Sequence, residues 1–205
     1  KENIITASMS DDWLYKISLI DNSIDNLSMH PLSDGYEISN EPKLLTPIQV
    51  VLLNDSLIAL SCNAPGDGDG KLNGQVQMWN INTEPMSKVV TYEFNVLSLP
   101  WHLIKSPLED DIFVVLRGDS GEGGVARLAF NEESFIFKWE YRNVLFDTFH
   151  GITIDGIGEY IYVTSAGENK LYQFSASNGA LIDEIQLGMN PGGLSVMQSI
   201  CIGCE

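Results

Sequence analysis

Two histidines and a tryptophan are the residues of this chain best suited to binding or acid–base chemistry: Trp101, His102 and His150. Neutral imidazole is a competent metal or haem ligand and a general base near pH 7, and indole offers a flat apolar surface for stacking. His102 and His150 open predicted strands 48 residues apart, which makes them equivalent positions of a repeat. These three residues are the predicted ligand-binding site. The alternative is that each imidazole hydrogen-bonds a backbone carbonyl of a neighbouring strand.

A loop rich in glycine and acid, residues 64–74 (APGDGDGKLNG), carries a second candidate site. Asp67, Asp69 and Asn73 place oxygen ligands at the alternating spacing that hard cations such as Ca²⁺ favour. The match to a calcium loop is partial, because Lys71 stands where a further Asp or Asn would be and no Glu follows at the required distance. Calcium is therefore the cofactor candidate for this loop, and the alternative is a solvated loop of turn-forming residues with no cofactor.

Catalytic signatures are lacking in the sequence, which has neither a Gly-x-Ser-x-Gly elbow nor a phosphate-binding loop. The acid pairs Asp11-Asp12 and Asp110-Asp111 fall in predicted turns, where adjacent carboxylates are usually solvated, so no catalytic residue is predicted. Cys201 and Cys204 form a pair near the end of the chain. A local disulfide or two thiols is expected there, with a metal or redox role as the alternative.

The charge balance excludes several kinds of partner. With 11 Lys and Arg against 28 Asp and Glu, the net charge is −17, and the basic residues form no cluster. Such a chain repels phosphate backbones and anionic membrane surfaces, so nucleic-acid binding is not expected. No apolar run approaches the roughly 20 residues of a transmembrane helix. The chain opens at Lys1 rather than Met, which suggests a processed chain or a missing upstream part.

Short runs rich in Val, Ile, Tyr and Phe recur between turn-forming residues, and sustained helical periodicity is absent. These runs predict an all-β chain with strands at 3–8, 13–21, 49–53, 56–63, 76–80, 89–94, 103–106, 111–117, 124–130, 135–141, 151–155, 160–165, 170–175, 181–186 and 193–198. His30 is expected in a surface loop after a predicted third strand of its repeat unit. Trp79 and Trp139 are expected to pack between neighbouring blades.

An internal repeat organises the strands. The segments PIQVVLLNDSLIALSCN, WHLIKSPLEDDIFVVLRG and FHGITIDGIGEYIYVTSAG superpose as strand, tight polar turn and strand. A repeat of about 48 residues matches a four-stranded propeller blade. We therefore predict a single β-propeller domain over 1–205, with four blades at 1–46 plus 191–199, 47–100, 101–149 and 150–190. The C-terminal strand would close the first blade and remove an exposed sheet edge.

Residues 150–196, beginning HGITIDGIGEYIYVTSAGENKLYQF, resemble the repeat of YncE-like and cytochrome d1-like bacterial β-propellers, with lactonase-like and NHL-type relatives. The resemblance implies a channel lined by the first strand of each blade, and so a common funnel for His102 and His150. In the cytochrome d1-like relatives a channel-side histidine ligates haem. Such relatives usually have about seven blades, so the four blades seen here are either an uncommon ring or part of a larger one.

These observations predict a non-enzymatic binding or protein-interaction scaffold in a bacterial envelope or extracellular setting. It would use the acidic loops or the channel mouth around Trp101, His102 and His150, with a protein partner expected and a small ligand as a further candidate. The extracytoplasmic placement follows from the resemblance, the acidity and the low lysine content. The alternatives are a metal- or haem-dependent enzyme or carrier with ligands in the channel, and a lactonase-like hydrolase.

Overall fold

The computed structural model describes residues 3–8, 13–18, 28–31, 45–63, 74–83, 86–94, 99–118 and 122–188. All regular structure in these ranges is β, and no helix there is long and apolar enough to cross a membrane. The strands are β1 (Asn3–Ser8), β2 (Trp13–Ser18), β3 (Ser28–Pro31), β4 (Thr46–Leu52), β5 (Leu57–Asn63), β6 (Gln75–Asn80), β7 (Ser87–Glu93), β8 (Pro100–Lys105), β9 (Asp111–Leu116), β10 (Gly123–Phe130), β11 (Phe135–Asn143), β12 (Phe149–Ile154), β13 (Tyr160–Ser165), β14 (Lys170–Ser175) and β15 (Leu181–Gln186).

The strands form one three-stranded and three four-stranded sheets, each an antiparallel meander in chain order. The four-stranded sheets are β4 to β7, β8 to β11 and β12 to β15, and the three-stranded sheet is β1 to β3. These are blades of a β-propeller, as the repeat predicts. The strand predicted at 191–199 to close the first blade lies outside the described residues, so that closure stays a prediction.

Contacts divide the chain into two compact units, Lys1–Leu97 and Ser98–Glu205. The first unit contains the sheets β1 to β3 and β4 to β7, and the second contains β8 to β11 and β12 to β15. Each unit therefore holds two consecutive blades. The boundary lies three residues before the predicted blade boundary at 100/101.

A β-bulge recurs in the first strand of all three four-stranded sheets. In β8 and β9, Pro100 pairs with Leu116 and Leu103 pairs with Val114, so two residues, 101 and 102, oppose one. The same excess occurs at 150 and 151 in β12 and at 48 and 49 in β4. A bulge leaves backbone groups outside the ladder and bends the strand. In two blades a second-strand hydroxyl takes up the amide: Thr164 Oγ1 accepts from Gly151 at 3.0 Å and Ser61 Oγ accepts from Gln49 at 3.2 Å.

The core of the second unit lies between its two blades. Central strand β9 is buried at every residue, whereas outer strand β15 is exposed at all but its first. Aromatic rings from the second blade and the segment before it fill the space, with Phe146 stacked on Phe149 at 4.7 Å between centroids and 4.9 Å from Tyr172. Apolar residues of β9 and β10 complete the cluster, and its burial stabilises the pair of blades.

Trp79 and Trp139 pack against residues of the neighbouring blade, as predicted. Trp139 on β11 packs against the core of the second unit, and its Nε1 donates to the carbonyl oxygen of Ala176 in the neighbouring blade at 3.2 Å. In the first unit, Trp79 on β6 is buried in a cluster that also contains Leu14 of the three-stranded sheet. Its Nε1 donates to Gln77 Oε1 at 3.0 Å, so the indole is both packed and hydrogen-bonded.

Side-chain acceptors close the turns between the first two strands of the blades. Asp155 Oδ1 accepts from the amides of Glu159 and Tyr160 at 2.7 and 3.3 Å, and Ser106 Oγ accepts from Leu108 and Glu109 at 3.3 and 3.2 Å. Such local bonds satisfy turn amides that have no ladder partner. In both turns the side chain of the first residue therefore supplies the acceptor that closes the turn.

Candidate functional site

The predicted site residues lie on two of the bulges, within the second unit. Trp101 and His102 are the two bulged residues of β8, and His150 is the first bulged residue of β12. The ladder register corrects the sequence alignment by one residue, because it makes Trp101 the equivalent of His150 and His102 the equivalent of Gly151. On a regular strand a shift of one residue reverses the face to which a side chain points. The bulges re-aim these side chains so that they still meet.

The three rings form one contiguous aromatic cluster. The centroids of the His102 and His150 rings are 4.8 Å apart at 86°, and those of Trp101 and His150 are 5.5 Å apart at 63°. Both contacts are edge-to-face, the arrangement that aromatic quadrupoles favour. Trp101 and His102 are 6.3 Å apart. The structure thus brings together all three predicted ligand-binding residues.

Arg117 joins this cluster and was not predicted from the sequence. Its guanidinium carbon lies 4.2 Å from the centre of the Trp101 ring, a cation–π contact. The residue directly follows β9, and its carbonyl oxygen accepts a hydrogen bond from the amide of Phe149 at 2.9 Å. That bond ties the first blade of the unit to the residue before His150. The cluster therefore includes a cation, in a strongly acidic chain.

Burial and neighbouring groups hold both imidazoles neutral. Burial, together with the neighbouring His150, lowers the pKa of His102 to about 4, and a backbone hydrogen bond to His150 opposes this shift. Burial and then the charge of Arg117 lower the pKa of His150. Its ring nitrogen Nδ1 is buried and has no hydrogen-bond partner among the described residues. The hydrogen bond of His102 to the His150 backbone is the structural role that was given above as the alternative to ligand binding.

Backbone strain borders the cluster. Thr148, two residues before His150, has a φ of 49°, in the left-handed region that a β-branched residue rarely adopts. Its carbonyl oxygen accepts from the amide of Ala166 at 3.0 Å, and its hydroxyl donates to Asp147 Oδ1 at 2.9 Å. Strain of this kind persists only where surrounding contacts impose it, and it is concentrated at functional sites.

The predicted calcium ligands Asp67, Asp69 and Asn73 lie outside the described residues, as do Cys201 and Cys204. Of the acidic loops between second and third strands, only the one at 166–169 is described in full. There Glu168 accepts hydrogen bonds from Tyr172 at 2.8 Å and from Ser165 at 3.2 Å. The Glu168 carboxylate therefore links the two strands that flank this loop within one blade. Within the described ranges no three His, Cys, Asp or Glu side chains are grouped to hold a metal ion.

The lowered pKa of His102 predicts a loss of stability in acid. Its folded pKa of about 4 lies below the ordinary value of 6.5, so between these pH values the unfolded chain binds a proton that the folded chain does not. The stabilising contribution is complete above pH 6.5 and is lost as the pH falls toward 4. At 1.36 kcal/mol per unit it amounts to at most about 3 kcal/mol.

Urea unfolding of the wild type and of His102→Gln at a series of pH values measures this contribution. The difference in unfolding free energy between the two proteins is expected to change by about 2 kcal/mol across that window, since partial exposure of the ring weakens the effect. Carboxylates titrate in both proteins and cancel in the difference. A pH-independent difference would contradict the prediction.

Comparison with known proteins gives the fold. No protein-family model and no curated protein matches the chain. Among solved structures, it is similar to a protein from Lactobacillus plantarum, with a TM-score of 0.66 and 17% identity over 89% of this chain and 53% of that one. The β-propeller domain of Cps50 (Swd1) from Myceliophteria thermophila gives a TM-score of 0.63 and 10% identity over 90% and 57%. A gluconolactonase from Xanthomonas campestris gives 0.57 and 16% over 90% and 59%.

This chain spans little more than half the length of each of these proteins. The low identities carry no information on activity, because one fold hosts many functions. The fold of the chain is that of a β-propeller, with lactonase-like proteins among its structural neighbours.

Proposed function

We propose that the chain is a non-catalytic binding domain whose ligand contacts Trp101, His102, His150 and Arg117. The observation that supports this most is the convergence of the two bulges, which places these side chains together from two blades. A neutral imidazole has one hydrogen-bond donor and one acceptor, of which His102 already uses one on the His150 backbone, and the indole supplies an apolar surface. Such a set recognises a ligand without a nucleophile or a proton-transfer step.

The charge of the cluster selects the ligand class. Arg117 is the cation next to Trp101, and the remaining members are neutral at pH 7 because the pKa values of both histidines are lowered. A guanidinium pairs well with a carboxylate or phosphate. We therefore propose a small ligand, or a segment of a protein partner, with an anionic group next to a flat apolar group. The net charge of −17 repels anions in general, so binding of an anionic group here depends on the local charge of Arg117.

The setting is proposed as extracytoplasmic, in a bacterial envelope or extracellular assembly with a protein partner. Support comes from the resemblance of residues 150–196 to bacterial propellers, from the acidity and from the few lysines. Membership in the YncE-like or cytochrome d1-like group belongs to this proposal as well.

A matched series of three probes tests the site. Benzoate, benzamide and benzylammonium share one ring and differ in charge, and titration calorimetry gives the affinity of each. Benzoate is expected to bind most tightly, and Arg117→Gln to weaken it by about 10-fold or more, the loss of a charged hydrogen bond. Lys170→Gln, which alters an exposed ion pair elsewhere in the unit, is the control and leaves the affinity unchanged. Equal affinity for the three probes, or preference for the cation, would contradict the proposal.

A metal- or haem-dependent protein, including a lactonase-like hydrolase, is the second candidate. The paired imidazoles and the similarity to a gluconolactonase favour it. A catalytic metal usually takes three protein ligands, and the described residues group only two imidazoles here, so a third ligand would have to come from other parts of the chain.

Elemental analysis, an absorption spectrum and gluconolactone hydrolysis separate the two candidates. The binding-domain proposal expects no stoichiometric metal, no Soret band and hydrolysis at the buffer rate. A metal or haem that is lost in the His102→Ala, His150→Ala double variant would replace it with the second candidate. So would hydrolysis that disappears in the same variant.

A further inference from the structure

A pocket of about 370 Å³ opens between the two blades of the second unit, at the end of β8 opposite to the histidine cluster. We call it the interblade pocket. Its walls are the turns that follow β8, β12 and β14. The residues that matter for binding are Leu108, Glu109, Phe113, Arg127, Glu159 and Ser177. None of them belongs to the predicted sites or to the cluster of Trp101, His102, His150 and Arg117, so the pocket is a separate feature of the fold.

Exposed apolar side chains lie on the two neighbouring turns at this pocket. Leu108 is 71% exposed and Ile157 is 62% exposed, and they occupy equivalent positions of the repeat. The turns are close neighbours, because a Cβ at Gly158 would lie 3.4 Å from Leu108 Cδ1. A single exposed leucine is ordinary, but two large apolar residues on neighbouring turns, one of which lines the pocket, offer apolar surface to a ligand.

The charges at the pocket are predominantly negative. Among the described residues that line it, the one cation is Arg127, which is only 15% exposed and is already paired with Asp111 and Glu109. The Glu109 side chain is 61% exposed, and Glu159, which also lines the pocket, is exposed as well. The Arg127 charge cannot balance both of these glutamates as well as the buried Asp111. A positively charged group entering the pocket would therefore meet complementary charge, within a chain of net charge −17.

We propose that the interblade pocket binds a segment of a partner protein in which an arginine or lysine lies next to an apolar side chain. The cationic side chain enters between Glu109 and Glu159, and the apolar one covers Leu108 and Ile157. The site is independent of the function proposed above and lies at the other end of the blades. It predicts a partner of basic character, the reverse of the anionic ligand expected at Arg117.

Peptide titration of the whole chain, followed by ¹H–¹⁵N NMR, tests this inference. The probe is acetyl-Gly-Leu-Arg-Leu-Gly-amide, and the control peptide has Glu in place of Arg. The arginine peptide is expected to bind with a millimolar Kd and to shift the amides of Gly158 and Ser177, which line the pocket. The glutamate peptide is expected to leave those amides unmoved. Absence of shifts with 10 mM arginine peptide, or equal shifts with both, would overturn the proposal.

Exposed residues supply variants that leave the fold intact. Glu159→Gln is expected to weaken the arginine peptide about 3-fold, as for an exposed ion pair, and Leu108→Ser about 5-fold through lost apolar contact. The matched controls Glu133→Gln and Ile182→Ser change an exposed acid and an exposed apolar residue outside the pocket and are expected to have no effect. Equal weakening by the controls would overturn the assignment to the interblade pocket. So would shifts of Gly158 and Ser177 that depend on protein concentration alone, since the occupant would then be a second copy of the chain.

Discussion

Replacing Arg127 with methionine is expected to lower the free energy of unfolding by about 3–5 kcal/mol, the cost of breaking a buried ion pair from one side. Arg127 Nε donates to Asp111 Oδ2 at 2.6 Å, and its terminal nitrogens reach Glu109 and the carbonyl oxygen of Ala176, the latter at 3.0 Å. The Asp111 side chain is only 5% exposed, so without the guanidinium its charge stays buried and uncompensated. The bond to Ala176 links the two blades of the unit, and the variant loses that link as well.

Urea or thermal unfolding of Arg127→Met and of Lys170→Met measures the difference. Lys170 pairs with Glu184, whose side chain is 51% exposed, at 3.0 Å. An exposed pair of this kind contributes about 0–1 kcal/mol. The double variant Arg127→Met, Asp111→Leu is expected to recover part of the lost stability, since no unpaired charge remains. If Arg127→Met and Lys170→Met lowered the free energy of unfolding by similar amounts, burial of the Arg127–Asp111 pair would not be the source of its effect.

Gly179→Val is expected to destabilise the second unit by about 2–5 kcal/mol, from backbone strain and overpacking combined. Gly179 has a φ of 72°, which costs little only for glycine. A Cβ at this position would lie 2.6 Å from Trp139 Cε3, and other atoms of the same ring are within 3.0 Å. Trp139 cannot retreat without giving up its bond to the Ala176 carbonyl oxygen, so the strain spreads to the contact between the blades.

Gly156→Val is the matched control, because nothing lies within 4 Å of its Cβ direction and the residue is exposed. A change within about 0.5 kcal/mol is expected there, as for most surface substitutions. The indole ¹H–¹⁵N NMR resonance of Trp139 adds a local readout, since the indole is displaced in Gly179→Val and undisturbed in the control. If both valine variants unfolded alike, the close approach of Gly179 to Trp139 would have no energetic weight.

Strand positions were largely accessible from the sequence. The predictions at 160–165, 170–175 and 181–186 agree with β13, β14 and β15 at both ends, because aromatic and β-branched runs there are bounded by turn residues. The fourth strand of the first blade was missed. Ser28–Pro31 forms β3, and His30, predicted in a loop, pairs with Leu14 in the ladder. A short strand that ends in proline has too little periodicity to be recognised.

The composition of the site was predictable, but its geometry was not. Trp101, His102 and His150 stand out as residue types, yet the one-residue correction between the histidines depends on a bulge that no residue type marks. Arg117 was missed for a related reason. It directly follows β9 and reaches Trp101 through tertiary packing, so no local pattern distinguishes it from another arginine. The best available signal was that it is a cation directly following the apolar run from Ile112 to Leu116.

The recurring bulge lets the side chain at its first position vary independently of the ladder hydrogen bonds that hold the sheet together. Its first residue is Ile48, Trp101 or His150 in the three blades, and the flanking ladder pairs are kept in every case. Substitution there changes the displayed side chain without shifting the register of the sheet. Duplicated blades with this bulge can therefore diverge in what they recognise while they remain equally able to fold, which makes the bulge a natural position at which to engineer new specificity.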